Sequence, residues 1–254
     1  MKQTGNTIVI TGGGSGIGRA LAHRFHDLGN VVIIAGRRQE VLDEAIAGRD
    51  KMHALTLDVE SAEGIADFVA RLMAAHPEVN VLVNNAGIMR FEDVSAARDL
   101  TDAEATITTN ILGPIRLTDA LVEHLKRQPD AMIVNVTSGL AFVPLLTTPT
   151  YNATKAAMHS YTITLREVLK EWVKVIELAP PAVQTGLTPG QETRPGYQPL
   201  DAFADEVMAL FAQTPTPPEI LVEGVRFLRF AEEEGRFDDT LQTLNAFANK
   251  AREL

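Results

Sequence analysis

Tyr151 and Lys155 stand four residues apart, and Ser138 precedes the tyrosine by thirteen. If the stretch is helical, residues i and i+4 share a face, so the ammonium lies beside the phenol and favours its ionised form. A tyrosine so placed trades a proton near neutral pH. The bland alternative is a half-buried ring beside a solvated charge. Ser138 has no histidine in an evident general-base relation, which argues against a hydrolase triad.

The glycines of Thr11-Gly12-Gly13-Gly14-Ser15-Gly16-Ile17-Gly18 join an apolar run to a stretch of helical period. Such a turn lets the backbone approach a pyrophosphate at a helix N-terminus. Its spacing is Gly-x-x-x-Gly-x-Gly, not the Gly-x-Gly-x-x-Gly fingerprint, and a ligand-free strand-to-helix turn is the competing reading. About twenty residues on, where an NAD site offers a carboxylate to the ribose, the chain reads Ala35-Gly36-Arg37-Arg38. Two guanidiniums with no acid fit a 2′-phosphate, and cations are otherwise disfavoured at a helix start, so the spacing points to NADPH over NADH.

Asn84-Asn85-Ala86-Gly87 follows a later apolar run, at the strand edge where ligands bind in doubly wound sheets. Asp58 accepts from an adenine amino group or caps the helix that begins near Ser61. Pro114 has no N–H for the carbonyl of Asn110, so the helix should kink there, and a carbonyl freed in a cleft holds a water; an ordinary surface kink is the alternative.

Six strand-length apolar runs, 7–11, 31–35, 53–57, 79–83, 131–136 and 173–178, alternate with helical stretches at 15–28, 39–47, 61–76, 102–127 and 149–171. The pattern predicts βαβ units and a doubly wound parallel sheet of six or seven strands, buried on both faces, with helices on each side. Residues 186–200 carry three prolines and three glycines and read as a mobile loop. Three helical stretches follow, at 201–212, 217–234 and 238–250, with no convincing seventh strand.

At 254 residues and 45% hydrophobic content, one large α/β domain over 1–254 is expected. The net charge of −10 disfavours nucleic acid and anionic membranes as partners. The absence of cysteine removes disulfides and thiolate chemistry, and no histidine spacing suggests a metal site. A cytoplasmic location is expected, since the N-terminal apolar run is too short for a signal or a span.

Taken together, the glycine motif, Asn84 to Gly87, Asn110, Ser138 and the Tyr151/Lys155 pair resemble the short-chain dehydrogenase/reductase family, over about residues 7–185. Stretches such as Asn85 to Arg90, Ser138 to Pro144 and Ala179 to Thr185 resemble its branch named for a gene neighbourhood with teichoic acid D-alanylation. The resemblance implies a Rossmann fold and a catalytic set of Asn110, Ser138, Tyr151 and Lys155. Tyr151 would protonate the alkoxide, Ser138 would hydrogen-bond the carbonyl oxygen, Lys155 would lower the tyrosine pKa and hold the ribose, and Asn110 would position a water. It implies a cofactor site of Gly12, Ser15, Gly16, Ile17, Gly18, Arg37, Arg38, Asp58, Val59, Asn85, Ala86, Gly87, Pro181, Val183 and Thr185, with Tyr151 and Lys155. Pro181 departs from the family, which has glycine there.

The expected activity is NADPH-dependent reduction of a small ketone or aldehyde in an apolar pocket lined by Leu140, Phe142, Leu145 and Leu187. A non-catalytic NADPH-binding regulator and a dehydratase or epimerase of the same fold are the alternatives. A homodimer or homotetramer is expected.

Overall fold

The computed structural model describes residues 1–253. Thr7–Thr11 forms β1, and all five of its residues are buried. Ile8 and Ile10 pack with Leu21 and Phe25 on one face of the sheet, while Val9 packs with Phe68 and Leu121 on the other. Burial on both faces is why the strand reads as a continuous apolar run. The chain continues through α1 (Gly16–Asp27), β2 (Val31–Gly36), α2 (Gln39–Ile46), β3 (Met52–Thr56), α3 (Ala62–Ala75) and β4 (Val81–Asn84). Then come α4 (Thr101–Ile107), α5 (Gly113–Leu125), β5 (Met132–Val136), α6 (Pro149–Leu169), β6 (Lys174–Leu178), α7 (Leu200–Phe211), β7 (Glu219–Ile220), α8 (Glu223–Arg229) and α9 (Phe237–Glu253).

The seven strands are parallel, in the order β3-β2-β1-β4-β5-β6-β7. α1, α2 and α7 cover one face through Leu21, Leu42 and Phe203, and α3, α5 and α6 cover the other through Phe68, Leu117 and Leu169. The order reverses between β1 and β4, which opens a crevice at the carboxyl ends of these two strands.

Two of the predicted helical stretches differ in the structure. The stretch 102–127 is not one helix, because Pro114 cannot donate to the carbonyl four residues back. The chain absorbs the mismatch as a π turn, Thr108–Leu112, in which Gly113 N donates to Thr108 O. The stretch 217–234 begins with the seventh strand: β6 and β7 pair in parallel, with Glu177 N donating to Pro218 O at 3.0 Å. Two residues after a Pro-Pro pair carry too little pattern to be seen as a strand. The loop 186–200 is tied down by Gln191, whose Nε2 donates to Val183 O at 2.9 Å, and by a bridge between Val183 and Gln198.

Close packing in the glycine turn generates a test. A Cβ on Gly18 would press on Gly12 O and lie 2.5 Å from Asn85 Nδ2, whereas one on Gly36 would meet only Leu42 Cδ2 at 3.5 Å. Gly18→Ala should therefore lose about 2–3 kcal/mol of stability, and Gly36→Ala less than about 0.5 kcal/mol. Urea unfolding of both variants reads the difference, and equal losses would contradict it.

Candidate active site

The crevice is built first from backbone. Thr11 ends β1, and its Oγ1 accepts from both Asn85 N and Ala86 N at 3.0 Å. Asn85 Nδ2 donates back to Thr11 O at 2.8 Å and to Gly12 O at 3.3 Å. Gly12 has φ +65°, a conformation that favours glycine. At the start of α1, Ser15 makes no side-chain cap and the first turn carries no acid, so the N-terminal amides face an anion-compatible opening.

Arg37 and Arg38 follow β2, both exposed, with Arg38 in an extended conformation at the start of α2. Arg37 Nη1 lies 3.7 Å from Glu60 Oε1, and Glu60 Oε1 also accepts from Thr109 Oγ1 at 2.7 Å. A shallow pocket of about 150 Å³ lies among Arg37, Leu57, Val59, Ile88 and Thr109. Asp58 is outside that lining and exposed; its Oδ1 accepts from Glu60 N at 3.0 Å in a local turn. The cap of α3 is Ser61 Oγ, which accepts from Gly64 N at 2.9 Å.

Ser138 leaves the end of β5 and caps a short 3₁₀ turn, its Oγ accepting from Leu140 N at 3.1 Å. Pro149 starts α6, which carries Tyr151 and Lys155 in its first two turns. All three side chains are buried, and Tyr151 and Ser138 line the same two pockets. Lys155 Nζ donates to Val136 O at 2.8 Å and lies 5.5 Å from the centroid of the Tyr151 ring. Asn110, in the π turn, grips the loop after β4: its Nδ2 donates to Ile88 O and its Oδ1 accepts from Ile88 N, both at 2.9 Å. The same Nδ2 donates to Thr154 Oγ1 at 3.2 Å, on the helix of the tyrosine. This clamp by the Asn110 side chain has no local signal in the sequence, because its partners are backbone atoms twenty-two residues away.

The electrostatics differ from the simple helical-face argument. Burial pushes the Tyr151 phenol up to about 12, with the Ser138 hydrogen bond opposing it, and burial pulls Lys155 down to about 8. The ammonium sits against the ring and is held by a backbone carbonyl, so in this site it does not offset the desolvation of the phenol.

These residues meet in a cleft of about 380 Å³ that runs from Gly12, Ser15, Gly16 and Ile17 past Arg37 and Arg38 to Asn85, Ala86, Gly87, Ser138, Tyr151 and Lys155. Pro181, Val183 and Thr185 line its far wall. Gly18 lies below the turn, against Gly12. A smaller apolar pocket of about 90 Å³ opens beside Ser138 and Tyr151, with Leu140, Leu145 and Leu187 in its lining. Phe142 is not there: its ring packs edge-on to His159 at 5.0 Å and under Arg229 at 4.9 Å. The short 3₁₀ turn after Ser138 rotates it toward the main core. Met89, Tyr197, Leu244 and Phe247 line the pocket instead, the last two supplied by α9.

Comparison with known proteins supplies the family. The short chain dehydrogenase family profile matches residues 6–195. The chain belongs to the short-chain dehydrogenase family. It is an NAD(P)-dependent oxidoreductase of that family, and it is similar to the uncharacterized oxidoreductase DltE of Bacillus subtilis (strain 168), 41% identical over 83% of this chain and 84% of that one. A sulfoacetaldehyde reductase of Chromohalobacter salexigens is 35% identical over 71% of this chain and 74% of its own. Among solved structures, a 3-ketoacyl-(acyl-carrier-protein) reductase of Brucella melitensis, complexed with NADH, has a TM-score of 0.76 at 25% identity, covering 86% of this chain and 96% of that one.

The residues present fit a nicotinamide dinucleotide. The turn around Gly12 and Gly18 has no room for side chains, the N-terminus of α1 is uncapped, and the cleft continues without a break to Tyr151 and Lys155.

Lys155 gives this site a pH signature. Its folded pKa of about 8 is below the ordinary 10.5, so between those values the unfolded chain holds a proton that the folded chain has released, and its contribution to stability rises with pH. Tyr151 acts in the opposite sense, but only above pH 10, where the unfolded phenol ionises while the folded one holds its proton to about 12. Without cofactor, wild type should therefore gain about 2–3 kcal/mol over Lys155→Met between pH 7.5 and pH 10. Urea unfolding at the two pH values measures it; a difference independent of pH would show that the lysine is not desolvated.

Proposed function

We propose that this enzyme is an NADPH-dependent carbonyl reductase, converting a ketone or aldehyde, NADPH and a proton into the alcohol and NADP⁺. The observation that carries the reading is the pair of buried hydroxyls, Ser138 and Tyr151, at the junction between the cofactor-sized cleft and the apolar pocket, both of which they line. When bound, the cofactor supplies the hydride. Tyr151, whose pKa near 12 keeps it protonated at neutral pH, delivers a proton to the carbonyl oxygen, and Ser138 donates a hydrogen bond to the same oxygen as charge develops. Lys155, fixed by the Val136 carbonyl beside the ring of Tyr151, would hold the ribose hydroxyls. Asn110 keeps the loop after β4 in register with α6. A phenol that holds its proton at pH 7 suits the reductive direction.

Arg37 and Arg38 carry the choice of NADPH. They are exposed at the end of β2, where the chain itself offers no carboxylate to a ribose 2′-hydroxyl; the nearby Glu60, from the segment after β3, lies 3.7 Å from Arg37 Nη1. Arg37, whose contact with Glu60 is long, would make a charge-assisted bond to the 2′-phosphate.

Tyr151→Phe should lower kcat by about 10²–10⁴-fold while leaving the Kd for NADPH within a few-fold. A variant that keeps more than half of the wild-type kcat sinks the assignment of the proton donor. Replacing Arg37 and Arg38 together with Ala should raise KM for NADPH, each lost charge-assisted bond costing about 1.5–3 kcal/mol, and barely move KM for NADH. Wild-type protein that binds both cofactors equally well would refute the preference.

A further inference from the structure

A second apolar chamber, of about 430 Å³, lies outside the pocket at Ser138 and Tyr151, between the loop 186–200, α8 and α9. Pro181, Ala182, Leu228, Leu244 and Phe247 line both chambers, so a single layer of side chains separates them. Phe247 is the largest of these. Its ring stacks on Tyr197 at 6.2 Å and lies against Gly196, where an added Cβ would come within 2.7 Å of Phe247 Cζ. Gly196 at φ +79° is thus what lets the ring seat against the loop. Phe227 on α8 and Phe247 on α9 are both partly exposed toward the outer chamber, at 46% and 42%. Among the described residues, no charged side chain lines either chamber.

The inner chamber, about 90 Å³, holds little more than a carbonyl group and its first carbons. On the side away from the cleft, anything larger reaches the outer chamber past these five shared residues, of which Phe247 is the largest. We infer that the substrate is a neutral carbonyl compound with an apolar alkyl tail: the carbonyl sits at Ser138 and Tyr151, the tail lies in the outer chamber, and Phe247 sets which tails pass. This inference rests on the carbonyl-reductase reading and adds the substrate class to it. It also separates this chain from the relative named for sulfoacetaldehyde, since a sulfonate carried into these chambers meets no cation. The reaction is aldehyde, NADPH and a proton to primary alcohol and NADP⁺, with the proton placed on the oxygen.

The test uses the full chain with NADPH and straight aldehydes from propanal to decanal, alongside calorimetric binding of unreactive n-alkyl carboxamides of the same lengths. Each methylene buried in the outer chamber should raise kcat/KM and amide affinity about fourfold until the chamber is full, with sulfoacetaldehyde far below the straight aldehydes of similar size. Phe227→Glu, at an exposed position that tolerates charge, should lower the decanal-to-propanal ratio of kcat/KM tenfold or more. Phe247→Ala, which joins the chambers, should raise the ratio of cyclohexanecarbaldehyde to hexanal by a similar factor. Reduction of propanal with no rise along the series, flat amide affinities, or ratios unmoved in both variants would overturn the inference alone. No turnover of any aldehyde, nor of the 2-alkanones of the same lengths, with either nicotinamide cofactor would overturn the carbonyl-reductase reading, and this inference with it.

Discussion

The hydroxyl of Thr11 is the point on which the site depends. It accepts two amides from the loop after β4, and Asn85 returns the contact to the backbone of Thr11 and Gly12. Parallel strands at the reversal of strand order send their helices to opposite faces, so their ends would otherwise diverge. From this knot a line of hydrogen bonds runs across the crevice. Ile88 is held by Asn110, Asn110 by Thr154, and Thr154 Oγ1 by the carbonyl of Tyr151 at 2.7 Å. The glycine turn and the tyrosine, 140 residues apart in sequence between Thr11 and Tyr151, therefore share one frame. Each link is at least partly buried, and losing one partner leaves the other unsatisfied at a cost of about 1–3 kcal/mol.

A second tie reaches the same helix from below the sheet. Glu177 on β6 has no exposed surface; its Oε1 accepts from Thr137 Oγ1 at 2.6 Å and its Oε2 meets His159 Nδ1 at 2.7 Å. Thr137 precedes Ser138, and His159 lies one turn beyond Lys155, so the carboxylate spans the two elements that bring Ser138 and Tyr151 together. A buried carboxylate is tolerable only with such partners. Beside it Arg229 makes a two-point bond to Glu219, at 2.8 and 3.0 Å, and shields Phe142 from solvent. His159 thus serves both, joined through Glu177 to Thr137 before the Ser138 turn and packed edge-on to Phe142, which lies outside the apolar pocket.

Much of this was legible beforehand because its causes are local. Buried parallel strands leave unbroken β-branched runs, which is why β1 was found to the residue and β2 to β6 to within one or two positions. Glycines in a turn and a missing carboxylate after β2 are also visible without neighbours. What was not legible depends on contacts made at long range. β7 exists because β6 offers it an edge. Phe142 turned inward because Arg229 and His159 await it, and the pocket is closed by Leu244 and Phe247 from a helix whose amphipathic pattern says nothing about what it covers. Sequence spacing placed Lys155 beside Tyr151 correctly, but only depth of burial reveals that desolvation outweighs their attraction.

The π turn between α4 and α5 amounts to one residue inserted into a helix. An α-helix turns about 100° per residue, so the insertion rotates everything before it by that angle relative to everything after it. α4 accordingly packs against α6, whereas α5 packs against α3. One continuous helix could not satisfy both neighbours with a single apolar stripe. The segment 108–112 thus holds one residue more than an α-helical turn needs, and in that wide turn Asn110 meets Ile88 while α4 keeps its contact with α6 and α5 its contact with α3.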